Sequence, residues 1–333
     1  FNDKKIDVVV APTKFGNTIV LDRKTGNNIF EYTARILDKN GMGFLGISKK
    51  IDDSSSFSND KWFYNKGTGG GITKIIENGK LFEKGGVNIS SIGGKLPKDI
   101  IKQFKVKYDL FNAYGLSLVL HPYNPFVPTI HMNIRLFELL NEKGSVVDSW
   151  FGGGVDLTPY YIFKEDITFF HHNYKIICDE FDTKIYSEFK KKCDSYFWNS
   201  HRNEARGVGG LFFDYLRENN KHSLLDWYKY IKKFGSTFLP TYLNILLKRM
   251  NTNFNKSHKL WQEIRRGRYV EFNLVHDKGT LFGLKTGGRI ESILMSLPPK
   301  VRWNYNFKPA PRSKEDELIK ILKKPVDWIK IKL

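Results

Sequence analysis

Cysteine is nearly absent: Cys178 and Cys193 are the two in 333 residues, with no CxxC pair and no zinc-type spacing around them. That excludes a disulfide framework and a cysteine-built metal site, and it fits a reducing compartment. Long apolar runs are missing as well, because no stretch approaches the ~18 consecutive apolar residues of a membrane-spanning helix. There are no internal repeats. No GxxxxGK[ST] follows Gly67, Gly69, Gly70 and Gly71, so a tight turn is expected there instead of a phosphate loop. The opening FNDKKIDVVVAPTKF lacks a signal-peptide layout. Acidic charge is also short, with 35 Asp and Glu against 54 Lys and Arg, a formal charge of +19. Such an excess favours an anionic partner, and nucleic acid, anionic lipid and a polycarboxylate all qualify. The lysines are scattered, which argues against one phosphate-tracking stripe and so against nucleic acid.

What is present is enough apolar material for a large core: 41% hydrophobic and 15% aromatic residues in a chain of this length. Against that background YFWNSHRNEARGVGGLFFD, Tyr196 to Asp214, stands out. It sets His201, Arg202, Glu204 and Arg206 directly before an apolar Leu211-Phe212-Phe213, a mixture costly to bury unless its charges are paired.

Two segments alternate with period two. Leu116, Leu118 and Leu120 share one strand face, with Ser117, Val119 and His121 on the other. From His131 to Phe137, Met132, Ile134 and Leu136 alternate with His131, Asn133 and Arg135. One sheet face is therefore aliphatic and the other carries Ser, His, Asn and Arg. The link PYNPFVPT, with three prolines, is stiff. A further strand, Ser145 to Phe151, runs into Gly152, Gly153 and Gly154 and delivers Asp156 to a strand end, where an Asx turn or helix cap before Pro159 is equally allowed.

Elsewhere the expectations are a loop over 52–60, a hairpin of 72–77 and 81–90 turned by NGK, and helical periodicity from Asp166 to about Phe197. Two helices are expected over 221–251, broken at Gly235 and Pro240. A helix over 259–266 is capped by Ser257 and ended by Gly267. A meander of three strands follows at 269–276, 280–284 and 290–294, and a short helix spans 315–322.

Two chemistries fit these pieces. His121, His131, His171 and His201 offer a metal site, though without the tight spacing of a strong motif. Arg135, Arg202, Arg206 and Arg289 come from separate elements and offer bidentate grips on carboxylates. Asp156 and Asp277 are carboxylates beside glycine turns, able to accept N–H donors.

The motifs SLVLHPYNPFVPTIHMNIR (117–135), WFGGGVDLTPYY (150–161), HRNEARGVGGLFFD (201–214), RRGRYVEFNLVHDKGTLFGLKTGGRIESILMSLPP (265–299) and VRWNYNFKPAP (301–311), with LFEKGGVNIS (81–90), resemble those of the oxygen-dependent coproporphyrinogen III oxidases. The likeness runs collinearly over about residues 62–330. It implies an α+β fold, a large, flat antiparallel β-sheet covered by α-helices on both faces, as one domain over 61–333 behind a variable segment, 1–60. It implies oxidative decarboxylation of two propionates of coproporphyrinogen III to vinyl groups, with O2 as co-substrate, no organic cofactor or metal, and a homodimer. By the same resemblance His131 is the proton donor or acceptor, and Asp156 and Asp277 face the pyrrole nitrogens. Arg135 joins them as a catalytic group. Ser117, His121, Asn133, Ile134, Arg135, His171, His201, Arg206, Gly287, Gly288 and Arg289 contact substrate. The expected location is cytoplasmic, with the mitochondrial intermembrane space or a plastid as alternatives. The chain departs from the family at Lys278, where an arginine is usual and the bidentate fork is lost. It also departs at Lys192, for the usual tryptophan, and at Phe169, for the first histidine of an HxH pair.

Overall fold

The structure is a computed structural model that describes residues 8–12, 18–22, 58–64, 69–98, 101–102, 107–285 and 287–331. A short hairpin, β1 (Val8–Pro12) with β2 (Thr18–Asp22), precedes the main body. Six strands then follow one another as antiparallel neighbours: β3 (Ser58–Tyr64), β4 (Gly69–Glu77), β5 (Phe82–Lys95), β6 (Leu110–Pro122), β7 (Thr129–Leu140) and β8 (Val146–Thr158). The chain leaves the sheet through helices α1 (Lys164–Asp179) and α2 (Ile185–Tyr196), then through the two-residue strands β9 (Trp198–Asn199) and β10 (Glu204–Ala205). It returns as β11 (Gly210–Leu216), which pairs with β8 to give the order β11-β8-β7-β6-β5-β4-β3. Helices α3 (Leu224–Arg249), α4 (Lys256–Val275), α5 (Lys278–Lys285), α6 (Ile290–Leu294) and α7 (Lys314–Leu322) complete the α+β architecture.

The two faces expected from the alternation are present. Leu116, Leu118, Leu120, Met132, Ile134 and Leu136 join the main core, where α1 and α3 bring Phe170, Tyr174, Trp227, Phe234 and Phe238 against them. Burying each such side chain contributes ~1.5–3 kcal/mol, so this layer is the main source of the fold's stability. Helix α2 wraps the edge strand. Its Phe189 packs on Phe213 within the core, and its Tyr196 stacks on Phe212 at 4.2 Å on the opposite face. Cys178 and Cys193 are both buried, free thiols.

Several expectations give way here. Residues 58–60 are the start of β3, not loop, and 52–57 lie outside the described residues. Gly69 to Gly71 open β4 and are not a turn, while Gly67 lies outside the described residues. The periodicity from Asp166 to Phe197 is split, because the chain turns at Asp182, whose Oδ1 accepts from the Lys184 amide at 2.9 Å. A single helix, α3, runs through the segment 221–251. A Ser223–Asp226 capping box starts it, Pro240 lies inside, and Phe238, Tyr242 and Ile245 continue the buried stripe past the proline.

The largest correction concerns 269–294. Tyr269 to Val275 belongs to α4, capped by Asn255 with His258 and not by Ser257, and the two supposed strands after it are α5 and α6. Gly267 does not end α4. A Cβ there would stand 2.7 Å from the Arg302 carbonyl oxygen, so glycine is required for residues 301–303 to cross the helix, where the Arg302 amide donates to Glu263 O at 3.0 Å.

Candidate functional site

The antiparallel register sets three ranks of residues across the polar face. The first is Gly86, Val119, His131 and Asp156, the second Thr73, Asn88, Ser117, Asn133 and Gly154, and the third Gly71, Ser90, Gly115, Arg135 and Gly152. Short polar side chains alternate with glycines, so the floor is low. A cavity of about 240 Å³ lies over it, lined further by Tyr196, Phe197, Phe212, Asp277, Thr280 and Met295.

His131 and Asp156 are register partners, and His131 Nδ1 lies 2.9 Å from Asp156 Oδ1. Asp156 is only 2% exposed and sits within β8, not at a strand end, turn or helix cap. Behind it Arg206 donates from Nη2 to both carboxylate oxygens, at 2.9 and 2.8 Å, and from Nη1 to Asn273 Oδ1 at 2.7 Å. The guanidinium lies over the rings of Phe197, Tyr269 and Phe272 at 4.0, 4.4 and 4.9 Å. Burial alone pushes the Asp156 carboxyl up, but the Arg206 charge and the bonds from His131 and Arg206 outweigh it and hold it below its ordinary value. Asp156 is therefore an ionised acceptor, and His131 Nδ1 carries the proton. His131 Nε2 has no hydrogen-bond partner among the described residues, and the ring lines the cavity.

Asp277 stands at the head of α5. Its Oδ1 accepts from the Tyr196 hydroxyl at 2.8 Å and its Oδ2 from the amide and hydroxyl of Thr280, both at 2.8 Å. Arg135 reaches the cavity while paired to Asp214 at 2.7 Å. Gly152 makes room for that pair, since a Cβ there would lie 2.7 Å from Asp214 Oδ1 and 2.8 Å from Arg135 Nε.

Of the expected substrate contacts, Ser117, Asn133, Arg135 and Arg206 line the cavity together with His131 and Asp277. Arg206 is not free to grip a carboxylate from outside, because Asp156 and Asn273 already take its terminal nitrogens. Ile134 points its side chain into the core, and Gly287, Gly288 and Arg289 stand outside the cavity lining, Arg289 being paired to Asp60 at 2.5 Å. The other three histidines do not converge. His121 is buried behind the cavity, 2.9 Å from Ser296 O and 3.2 Å from Thr129 Oγ1. His171 is buried in the core between the Tyr186 hydroxyl at 3.0 Å and Val208 O at 3.2 Å. His201 is 2.9 Å from His276 and 2.8 Å from Glu271 at the surface, where Arg202 clamps the same carboxylate from Nε and Nη2. Among the described residues no group of three or more His, Cys, Asp and Glu is placed to hold a metal ion.

The buried pair predicts an acid response. Desolvation drives the pKa of His171 down to about 3, and that of His121 well below 6.5, so both stay neutral when folded. The unfolded chain takes up these protons first as pH falls. Stability is therefore full above 6.5 and declines toward about pH 3, by ~1.4 kcal/mol per pH unit for each histidine. Urea midpoints measured at pH 7.5, 6 and 5 should fall accordingly, and His171→Gln should roughly halve the slope. A flat profile would contradict neutral burial.

Asn88, Ser90, Phe197, Asn273, Thr280, Ser292 and Ser296 line the cavity without having been singled out in the sequence. The alternation of Asn88 and Ser90 with Val87 and Ile89 carried a signal for the first two. Asn273 was hidden by reading its helix as a strand.

The family model described as coproporphyrinogen III oxidase matches residues 39–328. The chain is 45% identical over 289 residues to coproporphyrinogen-III oxidase 1, chloroplastic, of Arabidopsis thaliana, covering 84% of this chain and 74% of that protein. It is 47% identical over 288 residues to the chloroplastic oxygen-dependent enzyme of Glycine max, again over 84% and 74%. Against the oxygen-dependent coproporphyrinogen-III oxidase of Prochlorococcus marinus subsp. pastoris it is 44% identical over 332 residues, 92% of this chain and 95% of the relative. A match of that extent, on a chain whose sheet face gathers His131, Asn133, Arg135 and Asp156, makes this protein a member of the oxygen-dependent coproporphyrinogen III oxidase family.

Proposed function

We propose that His131, Asp156, Asp277 and Arg135 carry the chemistry of the reaction this chain performs. That reaction is the oxygen-dependent oxidative decarboxylation of two propionates of coproporphyrinogen III to vinyl groups, giving protoporphyrinogen IX in haem biosynthesis. For each propionate, R–CH2CH2–CO2⁻ with O2 and one proton gives R–CH=CH2, CO2 and H2O2. The organic side chain loses two electrons and O2 gains them.

The observation that carries the assignment is the line from cavity to interior, His131 to Asp156 to Arg206. Asp156 fixes the tautomer in which His131 Nε2 is the base, and Arg206 keeps Asp156 ionised, so the carboxylate acts on His131 and not on substrate directly. Asp277 has spent three of about four lone-pair sites on its own scaffold. One oxygen site remains for a pyrrole N–H. Holding or removing that proton makes the ring electron-rich enough to react with O2, and His131 then serves the proton lost from the propionate side chain. Arg135 supplies the positive charge for a propionate, and Ser117 and Asn133 its neutral hydrogen bonds.

Aerobic turnover of anaerobically prepared coproporphyrinogen III, read by chromatography of the porphyrins, tests the reading. Protoporphyrin no greater than the non-enzymatic blank would sink it. In the same assay Asp277→Ala should lose ~10²-fold in kcat/KM, and near-normal turnover would remove Asp277 from the mechanism. Undiminished activity in a strong chelator is the outcome expected of a reaction needing O2 and no metal or organic cofactor, and loss of activity there would overturn that reading. A homodimer is the expected assembly, supported by the exposed apolar residues Leu274, Val275, Leu284 and Ile290 along α4 to α6, and sedimentation equilibrium reads it directly. No described helix is long and apolar enough to cross a membrane. A cytoplasmic location is proposed beside a plastid one, since relatives named chloroplastic match as well as the Prochlorococcus marinus enzyme, and fractionation of the source cells decides between them.

A further inference from the structure

The charged side chains among the described residues that line the cavity are Arg135, Arg206 and Asp277, with His131, and the rest of its polar lining is neutral. At its floor Asn88 stands in register with Ser117 and, one strand further, Asn133. Behind Asn88 lies a chain of hydrogen bonds that the reaction does not use. Trp62 Nε1 donates to Thr73 Oγ1 at 3.0 Å, Thr73 Oγ1 donates to Asn88 Oδ1 at 2.8 Å, and Thr73 Oγ1 lies 2.7 Å from Ser292 Oγ. A threonine hydroxyl has one proton and two lone pairs. Its proton goes to Asn88 and one lone pair takes the indole N–H, so Ser292 must donate to the other. The hydroxyl of Thr73 is then fully used, and it is buried.

The consequence falls on Asn88. Its oxygen is tied down toward Thr73, so its amide nitrogen is turned the other way, and Nδ2 makes no hydrogen bond among the described residues. Two N–H groups of fixed direction, next to Ser90 and Ser117, are therefore offered to the cavity. Pyrrole nitrogens of a porphyrinogen are donors and give such a group nothing to bind. A carboxylate oxygen is the matching acceptor.

We infer that Asn88 is a further specificity-determining residue, whose amide donates to a propionate carboxylate of the substrate and is aimed by the chain Trp62–Thr73–Ser292. The inference rests on the reading of this cavity as the coproporphyrinogen site. Because the donor is neutral, it binds a carboxylate without competing with Asp214 for Arg135, and it fixes direction in a way a long flexible lysine would not. Thr73 touches no substrate and is a positioning residue.

The test is steady-state kinetics with coproporphyrinogen III. Asn88→Ala should raise KM about tenfold to a hundredfold with kcat changed much less, the loss of one hydrogen bond to a charged acceptor. Asn88→Asp, of equal size but with acceptors only and a negative charge facing a carboxylate, should raise KM at least as much. Thr73→Val should raise KM by ~3–10-fold by freeing the amide to rotate, and Thr73→Ser, which restores the hydroxyl, should return it to the wild-type value. Wild-type KM for Asn88→Asp would overturn the inference, since a flipped or unused amide would tolerate that change. Equal losses in kcat and KM that Thr73→Ser fails to rescue would also overturn it, by reducing the chain to a packing role. Failure of the wild-type protein to form protoporphyrin is a different result, and it would sink the site reading itself.

Discussion

Asp156→Ala should be both inactive and unstable, with turnover below about one thousandth of the wild type and unfolding free energy lower by about 3–5 kcal/mol. The two effects have separate causes. The stability loss comes from Arg206, which is 3% exposed and would be left with a buried charge facing no anion. The activity loss comes from His131, which would lose the acceptor that fixes its tautomer. A second substitution separates them. In Asp156→Ala/Arg206→Met the unpaired charge is gone and an apolar side chain fills the pocket of Phe197, Tyr269 and Phe272. Replacing a buried ion pair by apolar residues is often neutral or stabilising. Thermal midpoints should therefore recover toward the wild type while turnover stays lost. Recovery of both would make the pair merely structural and overturn the relay.

His131→Ala should lower kcat ~10²–10⁴-fold with little change in KM, the usual range for removing a positioned general base or acid. Unlike Asp156, His131 is not fully enclosed, and the Asp156–Arg206 pair survives without it. Thermal stability should fall by no more than about 1 kcal/mol, the worth of one hydrogen bond to a charged group less what solvent recovers. A variant that loses affinity in place of kcat would show that the histidine only binds. Carried out together, the two substitutions should cost little more than either alone, since residues that act as one unit are not additive.

How far the sequence revealed this arrangement depended on the range of the interaction that fixed each residue. Period-two alternation is local, so the aliphatic and polar faces of β6 and β7 were legible, and with them Ser117, His131, Asn133 and Arg135. The stretch 269–276 misled for a physical reason. Helix α4 is packed on several sides, and buried Arg265 and Arg266 are neutralised by Glu204 and Glu83, far away in the chain. Its apolar residues therefore do not form one clean helical stripe, and a seven-residue window reads equally well as a strand. Gly267 compounded this, because close approach of a crossing segment and helix termination call for the same residue. The partnership of Arg206 with Asp156 spans 50 positions and left no local trace. Arg206 was visible as a charge requiring a partner, while the identity of the partner came only from the fold.

The two cysteines meet their own chemistry in this setting. In the stoichiometry proposed above, each propionate turned over leaves one hydrogen peroxide, and thiolate is the form of cysteine that peroxide attacks. Burial pushes the Cys178 thiol up to about 12 and raises Cys193 as well. At neutral pH roughly one Cys178 in 10⁵ is then a thiolate. On that reading the protein offers its own oxidant almost no thiolate to consume.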